Sequence, residues 1–205
     1  MDYTALASEE VLKKTAAALK ERNFNPVIVA TKEDALAKIK MLIPQGASVM
    51  NGSSTTLQQV GFVDYLKSGK HPWRNLHAEV LAEADPAKQQ SLRRQALLAD
   101  YYLGSVHALS EAGELIVASN SGSQLPHIVF SSPNVIFVVG TQKITPTLAD
   151  AEARLREYVV PLEDARMKST GAAGTKLNKL FHYFGEPAYT GRNITIVLVK
   201  EKLGF

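Results

Sequence analysis

The sequence predicts one layered α/β domain. Three observations carry that expectation: short apolar runs of the kind buried parallel strands need, amphipathic helical stretches alternating with them, and a length of 205 residues with ordinary apolar content, enough for one sizeable core. The domain is expected to span 1–205, with an amino-terminal helix over about 4–22, a core over about 26–166 and a carboxyl-terminal segment with a strand over 167–205.

Thr4 to Arg22 is rich in helix formers and puts Leu12, Ala16 and Leu19 on one face. Asn25-Pro26 breaks it, and Val27 to Ala30 follows as a wholly apolar strand. Thr31 with Asp34 three residues on forms a capping box for a helix whose inner stripe is Leu36, Ile39 and Ile43. Pro44-Gln45-Gly46 ends it, and Ala47 to Met50 is the next strand. Asp85-Pro86 starts a helix in which Leu92, Ala96, Ala99 and Leu103 recur at helical spacing. Two strand-like runs, Ser105 to Leu109 and Glu114 to Ser119, flank a turn at Gly113. Val135 to Gly140 is β-branched, aromatic and uninterrupted, the strongest buried-strand signal in the chain. Thr147 and Asp150 open a helix with inner residues Leu148, Ala151, Leu155 and Tyr158, and Ile194 to Val199 supplies a last strand.

Composition removes several function classes. With no cysteine, the chain can build no disulfide, zinc-thiolate site or cysteine-held iron–sulfur cluster. No metal site is expected. A formal charge of +3 with scattered Lys and Arg lacks the footprint of a nucleic-acid binder. No run approaches about 18 apolar residues, and Met1-Asp2-Tyr3-Thr4 lacks the order of a secretory signal, so no membrane association and a cytoplasmic location are expected.

Asn51-Gly52-Ser53-Ser54-Thr55-Thr56 lies where a buried strand gives way to a helix. Close backbone approach at Gly52, successive N–H groups and several hydroxyls together suit a negative ligand. The same residues could instead only cap the helix. Ser110-Glu111-Ala112-Gly113-Glu114 offers Glu111 as a general base or acyl-accepting nucleophile, or simply a polar hairpin tip. Ser119 to Gln124, with Asn120 and Gly122, is a turn or an anion cradle. His107 sits on a strand leading to the Glu111 turn and is a candidate site residue; His71 and His77 lack metal spacing and suit a surface loop, and His127 and His182 look structural. Gly171 to Lys176 lacks phosphate-loop spacing and reads as a flexible connection.

Asn51 to Leu57 with Gly61-Phe62 resembles the Gly-Ser-Ser-Thr-Thr segment of the LUD (lactate-utilisation) domain family. Ser110 to Leu115, Val138 to Ile144, Asp150-Ala151 with Arg154, and Pro161 to Arg166 resemble further family segments in the same order. The resemblance implies a three-layer α/β/α domain with a mostly parallel central sheet, similar to ribose-5-phosphate isomerase, glucosamine-6-phosphate deaminase and the CoA transferases. It also implies that the Gly52 loop meets an anionic small molecule and that Lys143 lies among the ligand-binding residues. Ala112 stands where the acyl-accepting motif of CoA transferases has Asn. Met167 to Gly174 stands where related short members carry a cysteine-rich segment. On the resemblance, the protein is expected to be a component of lactate or organic-acid oxidation, working beside iron–sulfur or other redox partner proteins or as a homo-oligomer. The alternatives are a free-standing enzyme on a sugar phosphate or acyl-CoA using Glu111, and an assembly module with no ligand.

Overall fold

The computed structural model describes all residues, Met1–Phe205. Ten strands form two sheets. The central sheet is six-stranded and wholly parallel: β1 (Asn25–Val29), β10 (Asn193–Val199), β7 (Asn134–Gly140), β4 (Tyr101–Gly104), β2 (Ser48–Asn51) and β3 (Arg74–Asn75) lie in that order. A smaller mixed sheet, absent from the sequence expectation, orders β8 (Ile144–Thr145), β5 (Ala108–Ser110), β6 (Leu115–Ser119) and β9 (Lys179–Tyr183).

Both faces of the central sheet are covered, which is why its strands are apolar on both sides. On β7, Val135, Phe137 and Val139 join one core with Leu12 and Leu19 of helix α1 (Glu9–Glu21) and with Leu109, Leu115 and Val117 of the small sheet. Ile136 and Val138 point the other way, into a second core with Ala35 and Ile39 of α2 (Lys32–Leu42), Leu57 of α3 (Thr55–Gln59), and Phe62 and Leu66 of α4 (Phe62–Lys67). The three-layer architecture is therefore the observed one.

Caps set most of the helix starts. Ser8, rather than Thr4, begins α1 by accepting from the Val11 N–H at 3.2 Å. The Thr31/Asp34 capping box forms as expected, with both bonds at 3.1 Å. Helices α5 (Leu76–Ala82) and α6 (Pro86–Gln95) follow β3; the Thr147 cap then opens α7 (Leu148–Arg154), which passes through a wider turn at Leu155–Val159 into α8 (Val160–Ser169). No helix is long and apolar enough to cross a membrane.

One assignment is corrected. The helical spacing from Leu92 to Leu103 stops at Leu98, and Tyr101–Gly104 is a central strand instead. Asp100 explains the switch: its carboxylate accepts from Ser48 N–H and Oγ at 2.8 and 2.6 Å, and its carbonyl from Asn134 N–H at 3.2 Å. It thereby pins the starts of β2, β4 and β7 side by side.

Candidate functional site

In a parallel sheet the strand-to-helix loops gather at the carboxyl edge, and ligands sit there. Here four adjacent strands deliver their ends to one cleft of about 690 Å³. That volume falls within the range of small-molecule sites. From β2 come Asn51 to Thr56, from β4 Gly104 to His107, from β7 Lys143, and from β10 the tail residues Gly204 and Phe205. The small sheet adds Ser119 and Asn120, and α8 adds Glu163 and Arg166.

Lys143 forms the centre of this arrangement. It is 3 % exposed, yet it lines the cleft. Its Nζ donates to Thr56 Oγ1 at 3.1 Å, Ser105 Oγ at 3.1 Å and the Val106 carbonyl at 3.2 Å. All three acceptors are neutral. Burial, and then the positive charge of Arg154, bring the Lys143 amine down to about 7.

Arg154 is fully buried in the wall behind His107, and it too lacks a carboxylate. Its Nη1 donates to the His107 carbonyl at 2.6 Å, its Nη2 reaches the Tyr3 carbonyl at 3.4 Å, and its guanidinium lies 5.3 Å from the Tyr158 ring centre. Two buried cations with no protein carboxylate beside them are costly to the fold, because attraction to an opposite charge is what normally offsets lost hydration.

The loop after β2 is built for close approach. A Cβ on Gly52 would lie 2.5 Å from the Tyr102 hydroxyl, so only glycine leaves that ring its place stacked on His127, with centroids 4.7 Å apart. The Ser54 hydroxyl caps α3 through the Leu57 N–H at 3.3 Å, as the capping alternative requires. The Ser53 and Ser54 N–H groups, however, donate to no protein acceptor. Asn51 is buried, and its Oδ1 has no partner.

The structure thus brings together Asn51, Gly52, Ser53, Ser54, Thr55, Thr56, His107, Asn120 and Lys143. His107 precedes β5 rather than lying within it; its Nδ1 accepts from the Ala118 N–H at 3.1 Å, and burial holds the ring neutral, down to about 3. Gly122 stands between the lining residues Ser121 and Ser123 without lining the cleft itself, its backbone packed on the Lys179 side chain.

Glu111 is not among the cleft residues. It lies at the opposite end of β5 from His107, roughly 13 Å along the strand. There its carboxylate pairs with Lys14 Nζ of α1 at 2.8 Å. The whole turn is docked on that helix: Arg22 Nε donates to the Ala112 carbonyl at 2.5 Å, and a Cβ on Gly113 would sit 2.9 Å from the Leu19 nitrogen. The hairpin-tip alternative therefore describes Glu111, and the expected joint site of Glu111 with Thr55 does not form.

Other cleft residues were missed. Tyr102 was hidden inside a misassigned helix, and Arg93 and Lys176 carry no local motif. His77 and His127, a surface-loop and a structural residue by sequence, both line the cleft; burial lowers His77, and brings His127 down to about 4. Of the cationic lining residues, Arg166 is held by Glu163 at 2.6 Å, whereas Arg93, Lys143 and Lys176 form no ion pair. No group of three or more His, Cys, Asp or Glu side chains has metal-binding proximity.

A doubly covered parallel sheet with an open, cation-lined cleft at its carboxyl edge defines a three-layer α/β/α protein of the kind that seats ligands at strand ends. Residues 12–199 match the LUD domain, and the chain belongs to that family. The fold is also similar to the crystal structure of a DUF162 family protein from Deinococcus radiodurans, with a TM-score of 0.55 at 13 % identity over 95 % of this chain and 99 % of that one. A search of curated proteins returned no match.

Proposed function

We propose that this LUD-domain protein binds a small carboxylate- or phosphate-bearing molecule in the cleft around Lys143, as the binding component of a lactate or other organic-acid utilisation system. The observation that carries this reading is the buried Lys143 ammonium held only by neutral oxygens. An anion would supply the missing counter-charge, and the open N–H groups of Ser53 and Ser54 would receive its remaining oxygens. Because the chain has no thiol, any cysteine-held iron–sulfur cluster in such a system would belong to a partner protein.

Titration calorimetry of the purified protein against L-lactate, pyruvate, inorganic phosphate and ribose 5-phosphate tests this. Turning one of the three committed Nζ donors from a neutral oxygen to the anion makes a charge-assisted hydrogen bond worth about 1.5–3 kcal/mol, so Lys143→Met should weaken the preferred anion by up to about tenfold to a hundredfold. Equal binding by wild type and variant, or no binding by wild type, overturns the reading. The alternative of an enzyme using Glu111 as base or nucleophile gains no support from a carboxylate committed to Lys14 outside the cleft.

A further inference from the structure

The geometry points to Lys143 as a covalent site: its Nζ condenses with the carbonyl carbon of a 2-oxo acid whose carboxylate rests on the Ser53–Thr56 loop, forming a reversible imine. This rests on the anion-binding reading above and names the class of acid.

Several observations favour a nucleophilic amine over a purely electrostatic one. Lys143 lines a cleft large enough for a substrate, and no carboxylate bonds to its Nζ. The charged or titratable groups that bear on it are Arg154, a second buried cation, and His107, whose ring stays neutral. A cation beside a desolvated lysine favours the free amine, the reactive form. The amine's fall to about 7 agrees with that placement.

The acid group and the carbonyl are also specified together. Thr56 belongs to the loop whose Ser53 and Ser54 N–H groups are open, and its hydroxyl lies 3.1 Å from Nζ. An acid group on those N–H groups would sit two or three residues along the loop from the hydroxyl that touches Nζ, which favours a carbonyl next to a carboxylate over a distant one. The ammonium first yields a proton to cleft water. The Nζ lone pair then forms the C–N bond, and the carbonyl oxygen becomes a hydroxyl by proton transfer through the neighbouring Thr56 or Ser105 hydroxyl. That oxygen, protonated again from water, leaves as water and gives an iminium whose N–H can still donate to the Val106 carbonyl. One ammonium and one 2-oxo acid become one iminium and one water, with no oxidant or reductant.

Pyruvate is incubated with the full chain, sodium cyanoborohydride reduces any iminium, and peptide mass spectrometry locates the adduct. The expected result is one dominant adduct on the Lys143 peptide, half-maximal in rate near pH 7 and suppressed by L-lactate, which has the acid group but no carbonyl. Lys143→Arg should give no adduct at this position; should that variant not fold, the wild-type adduct map decides. Adducts spread over exposed lysines such as Lys14 and Lys168, or lactate without effect on the Lys143 adduct, overturn the proposal. Calorimetric binding of pyruvate with no adduct refutes the imine and leaves the anion reading standing, whereas absence of both refutes both.

Discussion

Replacing Lys143 by Met should make the ligand-free protein more stable. The lysine falls from its ordinary 10.5 to about 7 in the fold. At about 1.4 kcal/mol per pH unit, that fall costs the native state roughly 5 kcal/mol at and below neutral pH. Removing the amine also strips a donor from the Val106 carbonyl and from two hydroxyls, a loss of about 1–3 kcal/mol. The hydroxyls keep other partners, since Ser105 Oγ donates to the Val138 carbonyl at 2.7 Å and Thr56 Oγ1 to that of Leu203 at 3.4 Å. The net expectation is a gain of about 2–4 kcal/mol at pH 7, or roughly 4–16 °C in Tm for a domain of this size.

The pH dependence gives the sharper test. Between about 7 and 10.5 the unfolded chain holds a proton on Lys143 that the native state lacks, so this group makes wild-type stability rise with pH; below about 7 both states hold it and its contribution to the slope vanishes. Urea unfolding followed by circular dichroism at several pH values from 6 to about 10 should show the variant's advantage constant below 7 and shrinking at about 1.4 kcal/mol per pH unit above it. A variant less stable than wild type at pH 7, or an advantage that does not change with pH, refutes the reasoning. Stability gained at the expense of a binding group is the usual signature of a functional site.

Gly52→Ala should cost about 1–3 kcal/mol in urea unfolding and abolish ligand binding, because the new Cβ meets the Tyr102 hydroxyl; adding Tyr102→Phe should recover most of the stability, and no recovery would refute the named contact. Glu111→Gln should leave ligand affinity unchanged and shift stability by less than about 1 kcal/mol, since its Lys14 partner is largely solvent-exposed; a large loss of binding measured by calorimetry would restore Glu111 to the site. His107 and His127 are held neutral by burial, to about 3 and about 4, so their contribution is intact above the ordinary 6.5 and is lost as pH falls toward those values. Acid titration of His107→Gln, His127→Gln and the double variant should show a shallower loss of stability between pH 6 and 4 than wild type, and an unchanged slope would count against this account.

Local chemistry made much of this protein legible from residue order alone. Thr31 with Asp34 and Thr147 with Asp150 announce helix starts because a side-chain oxygen and the N–H it caps are only three residues apart. Val135 to Gly140 announces a doubly covered strand because both its faces must be apolar. The Asn51–Thr56 loop was legible for the same reason, since its donors are consecutive in the chain. The stretch from Leu92 to Leu103 was not, because small apolar residues satisfy helical spacing as well as a short strand, and the Asp100 contacts that choose between them come from Ser48 and Asn134. Only the folded chain could show that Lys143 and Arg154 are buried without a carboxylate, that His77 and His127 face the cleft, and that Glu111 points at α1. Charge compensation and burial depend on residues far apart in sequence, brought together by the order of the strands.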